Sequence, residues 1–443
     1  MGLSDEVRLK ADTTGDFVSL APLEPLIDKC VHCGFCLPAC PSYILLGQEM
    51  DSPRGRIYMM KAGVDGRVAM NEGLVGHFDT CLGCMACETA CPSGVRYAPL
   101  VEETRAAIEH HHTRPLGDRL FRRLLFSLLP YPARLRLFAL PLAFVNSLRG
   151  RPRLLSLLPR KLRNLVELAP DARQARMAGE TPERTPAVGA TRLKVGLLTG
   201  CVQQVFFGHV NEATIRVLAA EGCDVQAPRS QGCCGALALH SGRDDDARHF
   251  ARKLIETFEA ADEAVDVIVV NAAGCGSSMK SYGELFRDDP QWAARAQSFA
   301  AKVRDVTEVL AGLGASRALR HRLDMRVAYH DACHLGHAQG VRQQPRDLLA
   351  AIPGVTLVPI ADGDICCGSA GIFNLVQPEM AAELGKRKAA NIADAKPDIV
   401  ATTNPGCMLQ ITSAARKAAP TGGSPRVVHV VELLDASIQG KNL

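Results

Sequence analysis

Two runs of closely spaced cysteines near the start of the chain carry the most specific chemistry in the sequence. The first run is Cys30-Val-His-Cys33-Gly-Phe-Cys36-Leu-Pro-Ala-Cys40-Pro41, and the second repeats its spacing with Cys81, Cys84, Cys87, Cys91 and Pro92. A 4Fe–4S cluster needs four thiolates on one compact object, and three cysteines separated by two residues each can wrap three of its corners. The fourth cysteine of such a run, which precedes a proline, binds the neighbouring cluster.

This spacing predicts two 4Fe–4S clusters with crossed ligand sets. One set is Cys30, Cys33, Cys36 and Cys91, and the other is Cys81, Cys84, Cys87 and Cys40. A tetrahedral zinc site would leave the third and fourth cysteines of each run unused. A disulfide framework is typical of small secreted domains, whereas this chain has 443 residues and its first sixteen lack the apolar core of a signal peptide.

Composition and charge narrow the class of protein further. Seventeen cysteines in a chain without a secretory signal indicate metal binding before disulfides. A net charge of +4 is too small to indicate a nucleic-acid partner. No apolar run approaches the roughly 18 residues of a membrane-spanning helix. We therefore expect a cytoplasmic protein without a nucleic-acid partner, peripheral on the inner face of the cell membrane.

The second half of the chain contains an internal repeat. Four cysteines recur there at offsets of 132 or 133 residues. The first set is Cys201, Cys233, Cys234 and Cys275, and the second is Cys333, Cys366, Cys367 and Cys407. Each set includes Cys-Cys-Gly, where the glycine lets the backbone approach a bulky cofactor. We predict that each set gathers into one metal-binding pocket, with one or two further iron–sulfur clusters in the two pockets together.

Short apolar segments lead into these cysteines and alternate with helical segments. Lys194–Thr199 precedes Cys201, and Asp398–Thr402 precedes Cys407. Strands that alternate with helices form parallel sheets, whose carboxyl ends bind ligands. The expected fold class is α+β multidomain, with a helical two-cluster ferredoxin-like domain followed by two duplicated α/β lobes with parallel sheets.

The predicted domains differ in charge as well as in cysteine content. They are a lead over 1–22, the ferredoxin-like domain over 23–112, a connector and linker over 113–191, and repeats over 192–320 and 321–443. Eleven basic residues and no acidic one lie within 119–163. Basic amphipathic helices suit an anionic membrane or an acidic partner. The alternative is a connector that packs on the protein's own core with its arginines in water.

Several other residues allow two interpretations each. Arg54 and Arg56 offset the negative charge of the clusters, or they lie on a solvated helix face. Four polar residues flank Cys333: His330, Asp331, His334 and His337. They tune a cluster or relay protons, or they are ordinary hydrogen-bonded loop residues. Cys223, the remaining cysteine, is interpreted as an inert core thiol.

Together these motifs resemble a known family, the iron–sulfur subunits of glycolate oxidase. The resemblance rests on Cys30–Cys36, Pro53–Ile57, Cys91–Tyr97 and Cys366–Gly371. It implies an electron-transfer subunit that is not catalytic alone. A flavin-bearing partner would oxidise glycolate to glyoxylate, and this chain would pass the electrons towards a quinone or another membrane acceptor. The absence of a G-x-G-x-x-G fingerprint agrees with that division of labour.

Related layouts occur in heterodisulfide reductase subunits and in the anaerobic glycerol-3-phosphate dehydrogenase small subunit, which are the alternative assignments. Heterodisulfide-reductase repeats carry a further cysteine where this chain has Ala272 and Asn404, so five-thiolate sites of that type are not expected. Two other readings remain: an enzyme that reduces a disulfide at its own cluster, and a metal-stabilised scaffold without a redox role.

Overall fold

The computed structural model describes residues 17–138, 163, 166–169, 181–261, 263–419 and 423–442. The chain divides into two compact units. The first comprises Met1–Gly83 and Cys87–Arg114, and the second comprises Cys84–Ala86 and Pro115–Leu443. Most of the predicted lead over 1–22 lies outside the described residues, and the finer boundaries at 191 and 320 stay predictions. Within the described ranges, every helix is too short or too polar to cross a membrane.

The described part of the first unit is helical and contains no strand. Its helices are α1 Glu24–Ile27, α2 Pro41–Leu46, α3 Pro53–Val64, α4 Glu72–Asp79, α5 Ala86–Thr89 and α6 Tyr97–His111, with 3-10 turns at Val18–Leu23 and Glu49–Asp51. Ser52 starts α3, because its hydroxyl accepts a hydrogen bond from the Gly55 N–H and Pro53 fits the first turn.

The first repeat forms a five-stranded sheet in the order β1-β3-β2-β4-β5. Its strands are β1 Arg184–Thr185, β2 Leu193–Leu197, β3 Cys223–Gln226, β4 Val267–Val270 and β5 Val303–Asp305. All neighbours are parallel except β1, which pairs antiparallel with β3. The expectation of a connector and linker over 113–191 is therefore wrong at β1, and so is the expectation that this sheet is wholly parallel. Two polar residues, Arg184 and Thr185, carry no apolar pattern that could have revealed it.

The second repeat forms a four-stranded parallel sheet in the order β7-β6-β8-β9. Its strands are β6 Met325–Tyr329, β7 Val355–Val358, β8 Ile399–Thr402 and β9 Arg426–His429. This order matches β3-β2-β4-β5 of the first sheet, strand for strand. The prediction of parallel sheets in both repeats holds for these eight strands.

Helices precede, connect and follow the strands of the two repeats. They are α7 Leu116–Leu128, followed by Val202–Phe206, Gly208–Ala220, Ala236–Leu239, Asp244–Glu259, Ala273–Lys280, Tyr282–Leu285, Ala293–Lys302, Val306–Gly312, Cys333–Gly336, Gln343–Ala350, Phe373–Val376, Pro378–Ala395, Pro405–Ala418 and Val430–Gln439. One apolar core includes Leu197 and Val269 from the first sheet together with Val327, Tyr329 and Val428 from the second. The two repeats therefore share a core and do not pack as separate bodies.

Helix α7 opens the basic connector and packs on the repeats through one face. Leu125 and Phe126 form a small apolar cluster with Ile372, and Leu237 packs against it. Asp118 accepts a hydrogen bond from Arg122 at 2.9 Å, one turn away. This face packs on the protein's own core, as the connector interpretation expects, but Arg122 on it is buried and not in water. The basic residues between 139 and 162 lie outside the described residues.

Candidate metal centres

One cleft of the first unit gathers the cysteines of the first predicted ligand set. Cys30, Cys33 and Cys36 line it, together with Cys91 from the second run and Cys87. Burial raises the pKa of Cys36 to about 11. Iron must therefore displace a proton from this thiol, which makes metal binding depend on pH.

The loop of the first run curves tightly around this cleft. His32 and Gly34 both adopt the left-handed conformation, with φ of 52° and 89°. A side chain at Gly34 would meet the Arg54 guanidinium at 2.8 Å. That guanidinium donates to the His32 carbonyl at 3.0 Å and pairs with Glu49 at 2.6 Å. Arg54 therefore anchors the loop from a partly exposed position.

Arg56 lies fully buried in a polar network beside the second run. Its guanidinium donates to the Ser42 hydroxyl at 3.1 Å, the Thr80 hydroxyl at 2.9 Å and the His77 carbonyl at 2.7 Å. The Asp51 carboxylate lies 3.6 Å away. The interpretation of Arg56 as part of a solvated helix face is wrong, because helix α3 turns this side chain inward.

Arg56 lies close to one cysteine of each run, Cys40 and Cys81. The Ser42 hydroxyl that it contacts lies 3.2 Å from the Cys40 sulfur. Burial would raise the pKa of Cys81, but the charges of Arg56 and Arg105 lower it overall. The Gly83 N–H also donates to the Cys81 sulfur at 3.3 Å. One buried positive charge thus favours the thiolate form of Cys81 and lies close to Cys40.

Cys84 and Cys87, the other members of the second predicted set, are both buried. Cys84 belongs to the short segment Cys84–Ala86 that groups with the second unit. Cys87 lines the cleft of the first set. Their assignment to the second cluster stays a prediction.

The four cysteines of the first repeat are neighbours. The Cys233 side chain lies beside those of Cys201 and Cys234, and the Cys234 side chain lies beside that of Cys275. Hydrogen bonds from Cys233 and Cys275 hold the pKa of Cys234 well below its usual range. The pocket therefore favours one thiolate even before a metal adds its own charge.

The second repeat brings its cysteines together in the same order. The Cys366 side chain lies beside those of Cys333 and Cys367, and the Cys367 side chain lies beside that of Cys407. All four are buried. Both repeats therefore collect the cysteines that the sequence grouped, because β2, β4, β6 and β8 each end shortly before one of them.

The glycine of each Cys-Cys-Gly motif has a defined role. Gly235 and Gly368 adopt φ of 79° and 92°. Their N–H groups donate to the sulfurs of Cys233 at 3.3 Å and Cys366 at 3.4 Å. An added Cβ would lie 3.0 Å from a backbone carbonyl at Gly235 and 2.7 Å at Gly368. The motif therefore needs glycine for its conformation and for space.

Two cysteines lie in the first turns of longer helices. Cys275 is in Ala273–Lys280 and Cys407 is in Pro405–Ala418, so both lie at the N-terminal end of a helix. Ala272 and Asn404 precede these helices as N-caps. The Asn404 amide donates to the Cys407 sulfur at 3.6 Å. An amide donor therefore stands where heterodisulfide-reductase repeats carry a further cysteine.

Most polar residues around Cys333 are held by their neighbours. Asp331 pairs with Arg346 at 2.6 Å. His334 hydrogen-bonds to Ser277 at 2.6 Å, and the His337 ring to the Asp364 carbonyl at 3.1 Å. The interpretation as hydrogen-bonded loop residues fits these three.

His330 is different, because it is fully buried and neither ring nitrogen has a hydrogen-bond partner among the described residues. Burial holds its pKa well below the usual range, so the imidazole is neutral. Cys223 is buried at the start of β3, and burial raises its pKa to about 11, which agrees with an inert core thiol.

Comparison with known proteins finds family matches for the ferredoxin-like domain and for each of the two repeats. Residues 26–95 match the family model of a 4Fe-4S dicluster domain, and residues 195–280 and 327–412 each match that of a cysteine-rich domain. The chain is 37% identical over 420 residues to the probable glycolate oxidase iron-sulfur subunit of Bacillus subtilis, covering 92% of this chain and 93% of that one. The chain belongs to the family of glycolate oxidase iron–sulfur subunits.

Further matches agree with this family. The glycolate oxidase iron-sulfur subunit of Escherichia coli is 33% identical over 418 residues, or 94% of this chain and 95% of that one. Lactate utilization protein A of an Exiguobacterium species is 30% identical over 245 residues, or 55% of this chain and 98% of that one. Family membership confirms the predictions of several iron–sulfur clusters and of a subunit of an oxidoreductase complex.

A solved structure shares the fold at much lower sequence identity. The crystal structure of a hypothetical protein from Helicobacter pylori aligns with a TM-score of 0.55 and 8% identity, covering 97% of this chain and 77% of that chain. This likeness shows the fold alone.

The donors in these pockets suit iron–sulfur clusters. Sixteen of the seventeen cysteines belong to the two runs and the two repeat sets, and thiolates are the usual ligands of such clusters. Buried N–H donors at Gly83, Gly235 and Gly368 point at ligand sulfurs, and such hydrogen bonds are among the features that set cluster potentials.

Proposed function

We propose that this chain is the electron-transfer subunit of a complex that oxidises glycolate to glyoxylate. The named relatives point to glycolate, and the observation that carries the electron-transfer role is the cleft where Cys30, Cys33 and Cys36 meet Cys91 of the other run. This crossed arrangement is characteristic of two-cluster ferredoxin sites that lie close together. When bound, iron–sulfur clusters take up and release one electron at a time. The protein's part is to hold them at fixed positions and away from water.

The proposed ligands follow the crossed pattern in the ferredoxin-like domain. Cys30, Cys33, Cys36 and Cys91 would hold one cluster, and Cys81, Cys84, Cys87 and Cys40 the other. The burial of Arg56 beside Cys40 and Cys81 supports the second set, because a guanidinium offsets negative charge that the apolar interior does not solvate. In the repeats, each group of four buried cysteines would bind a further metal or cluster.

A flavin-bearing partner is proposed because glycolate oxidation releases two electrons and two protons together. Flavins accept electron pairs and pass them on singly, which matches one-electron acceptors in this chain. The sequence contains no glycine-rich dinucleotide motif. The electrons would leave towards a quinone or another acceptor at the membrane.

Helix α7 supports peripheral attachment to an anionic membrane surface on the cytoplasmic side. Leu116, Leu120 and Leu124 form a stripe with exposed fractions of 68%, 58% and 47%. Arg119 and Arg123, also exposed, lie beside this stripe. Apolar residues flanked by arginines suit the boundary between lipid headgroups and acyl chains.

The division of labour is tested by separating the subunits. The pure, cluster-loaded and flavin-free chain should not reduce a dye with glycolate, whereas the complex with its flavoprotein partner should. The loaded chain should nevertheless accept electrons from dithionite, which shows that it is redox-competent. Glycolate turnover by the chain alone would overturn the proposal. Disulfide reduction by the chain alone would favour the heterodisulfide-reductase alternative.

A further inference from the structure

We propose that His330 is a metal ligand of the second repeat and binds together with Cys367 and Cys407. This inference rests on the proposed function, in which the second repeat holds a metal or cluster. It makes that site a mixed cysteine–histidine site, unlike the cysteine-only set of the first repeat.

The fold places His330 at the ligand-binding edge of the second sheet. The residue directly follows β6, and its backbone N–H continues the ladder to β8 by donating to the Ala401 carbonyl at 2.9 Å. Cys407 follows β8 at the same edge. The backbone of His330 is therefore fixed by the sheet, and the residue lies at the edge where the cysteines of this repeat are also found.

The three candidate ligand atoms already lie close together. One ring nitrogen of His330 and the sulfurs of Cys367 and Cys407 all lie within 4.8 Å of one another. Around a tetrahedral ion with Zn–N near 2.0 Å and Zn–S near 2.3 Å, ligand atoms are separated by about 3.5–4 Å. Small side-chain movements would therefore bring all three onto one metal atom.

Among the residues that the structure describes, none is a hydrogen-bond partner of the His330 ring nitrogens. Neither nitrogen is hydrogen-bonded within the described ranges, although the side chain is fully buried. Cys367 and Cys407 belong to an apolar cluster that includes Ala328 and Val400, which would hold a water poorly. A buried polar group without a partner costs about 1–3 kcal/mol. A metal ion at this position would remove that cost.

The first repeat lacks this ligand. The position that corresponds to His330 is Leu198, three residues before Cys201 as His330 is three residues before Cys333. Leu198 is buried in an apolar cluster that also contains Cys234. A neutral imidazole in place of a thiolate makes a site less negative, and in Rieske centres it raises the reduction potential. The two repeats would therefore hold sites of different potential or different metal.

The test compares His330→Leu, which installs the residue of the first repeat, with His330→Cys, which keeps a ligand. Both are made in the full chain and assayed for iron, zinc and sulfide per chain. His330→Leu should lose the metal of the second repeat, or release it to a chelator at least about tenfold faster, and His330→Cys should retain it. His337→Gln is the matched control, because that ring is hydrogen-bonded and does not belong to the group.

A Cys407→Ala variant separates this inference from the proposed function. If Cys407→Ala loses metal and His330→Leu does not, the repeat binds metal without the histidine and the inference is overturned. If neither variant loses metal, the second repeat holds none, and both the inference and that part of the proposed function fail. If His330→Leu does not fold, pulsed electron paramagnetic resonance of wild-type and His330→Cys chains labelled with 15N-histidine decides, with an iron site reduced to its paramagnetic state and a zinc site exchanged for Co²⁺. A nitrogen coupling present in the wild type and absent from His330→Cys supports ligation, and a coupling absent from both overturns it.

Discussion

At the residue scale, single side chains decide which cysteines can become thiolates. Arg56 is the clearest case, because it is fully buried and contacts Ser42 beside Cys40 while its charge lowers the pKa of Cys81. Burial opposes the charged guanidinium, but Cys81, Tyr97 and other acidic neighbours raise its pKa overall. The charge of Arg56 therefore persists in the interior and is available to compensate a cluster.

Replacing Arg56 with Gln should lower both the stability of the first unit and its iron content. The change removes the charge beside Cys81 and the guanidinium that lies 3.6 Å from the buried Asp51 carboxylate, and breaking such a buried pair costs about 3–5 kcal/mol. Urea unfolding with iron and sulfide analysis measures both effects. Arg67→Gln is the control, because its pair with Asp65 is more exposed and should be worth about 1 kcal/mol or less. Equal effects of the two variants would contradict a special role for Arg56.

Replacing Gly368 with Ala should selectively damage the second repeat. The new Cβ would lie 2.7 Å from the Ala381 carbonyl, at a φ of 92°. Such backbone strain costs about 1–3 kcal/mol before the steric clash is added. Gly423→Ala has the same φ of 92° with nothing within 4 Å, so the difference between the variants isolates the clash. Thermal unfolding and metal content should change more for Gly368→Ala, and a smaller loss there than at Gly423 would refute this explanation.

At the element scale, strand ends and helix starts bring together cysteines that are distant in sequence. β6 leads to Cys333 and β8 leads to Cys407, and both parallel strands end on one edge. In the first unit, loops between short helices bring Cys91 to Cys30. This arrangement was predictable because cluster chemistry constrains cysteine spacing and parallel strands share an edge.

The crossing of the two runs predicts which cluster each variant damages. Cys40→Ala should disturb the cluster of the second run, since Cys40 lies beside Ser42 and Arg56. Cys91→Ala should instead disturb the cluster of the first run. Electron paramagnetic resonance of each reduced variant distinguishes the two signals, with each variant serving as the control of the other. Damage by Cys40→Ala confined to the cluster of Cys30, Cys33 and Cys36 would show an uncrossed arrangement.

Charge reversal on α7 tests the proposed membrane surface. The double variant Arg119→Glu and Arg123→Glu should bind vesicles of anionic lipid at least roughly 30-fold more weakly, because each basic residue near such a surface contributes about 1 kcal/mol and each new glutamate is repelled. Binding of the wild type should fall steeply with salt, since the Debye length drops from about 10 Å at 0.1 M to about 3 Å at 1 M.

The matched control for α7 reverses two exposed lysines on other helices, Lys253→Glu and Lys386→Glu. It changes the net charge equally and should leave vesicle binding nearly intact. Equal weakening by both double variants would show only a general charge effect. Salt-dependent release from the flavoprotein partner, without vesicle binding, would assign α7 to a protein interface.

At the scale of the whole molecule, the sequence predicted the cysteine groups and the parallel sheets of both repeats better than their packing. The apolar segments ending before Cys201 and Cys407 made their strands recognisable. Strand β1 carried no such pattern, and the shared core around Leu197 and Val327 depends on tertiary contacts that no local pattern encodes. Arg56 and His330 look like ordinary polar residues in the sequence, and only their burial shows that they differ from Arg54 and His334.

The central claim is that glycolate electrons pass through clusters held by this chain. Its most direct test is low-temperature electron paramagnetic resonance of the anaerobic complex, frozen shortly after glycolate is added. The control is the chain alone, loaded with its clusters and treated in the same way. Signals of reduced clusters should appear in the complex at a rate no slower than turnover, and they should be absent from the chain alone. Clusters that stay oxidised while the complex turns over glycolate with its natural acceptor would contradict the account.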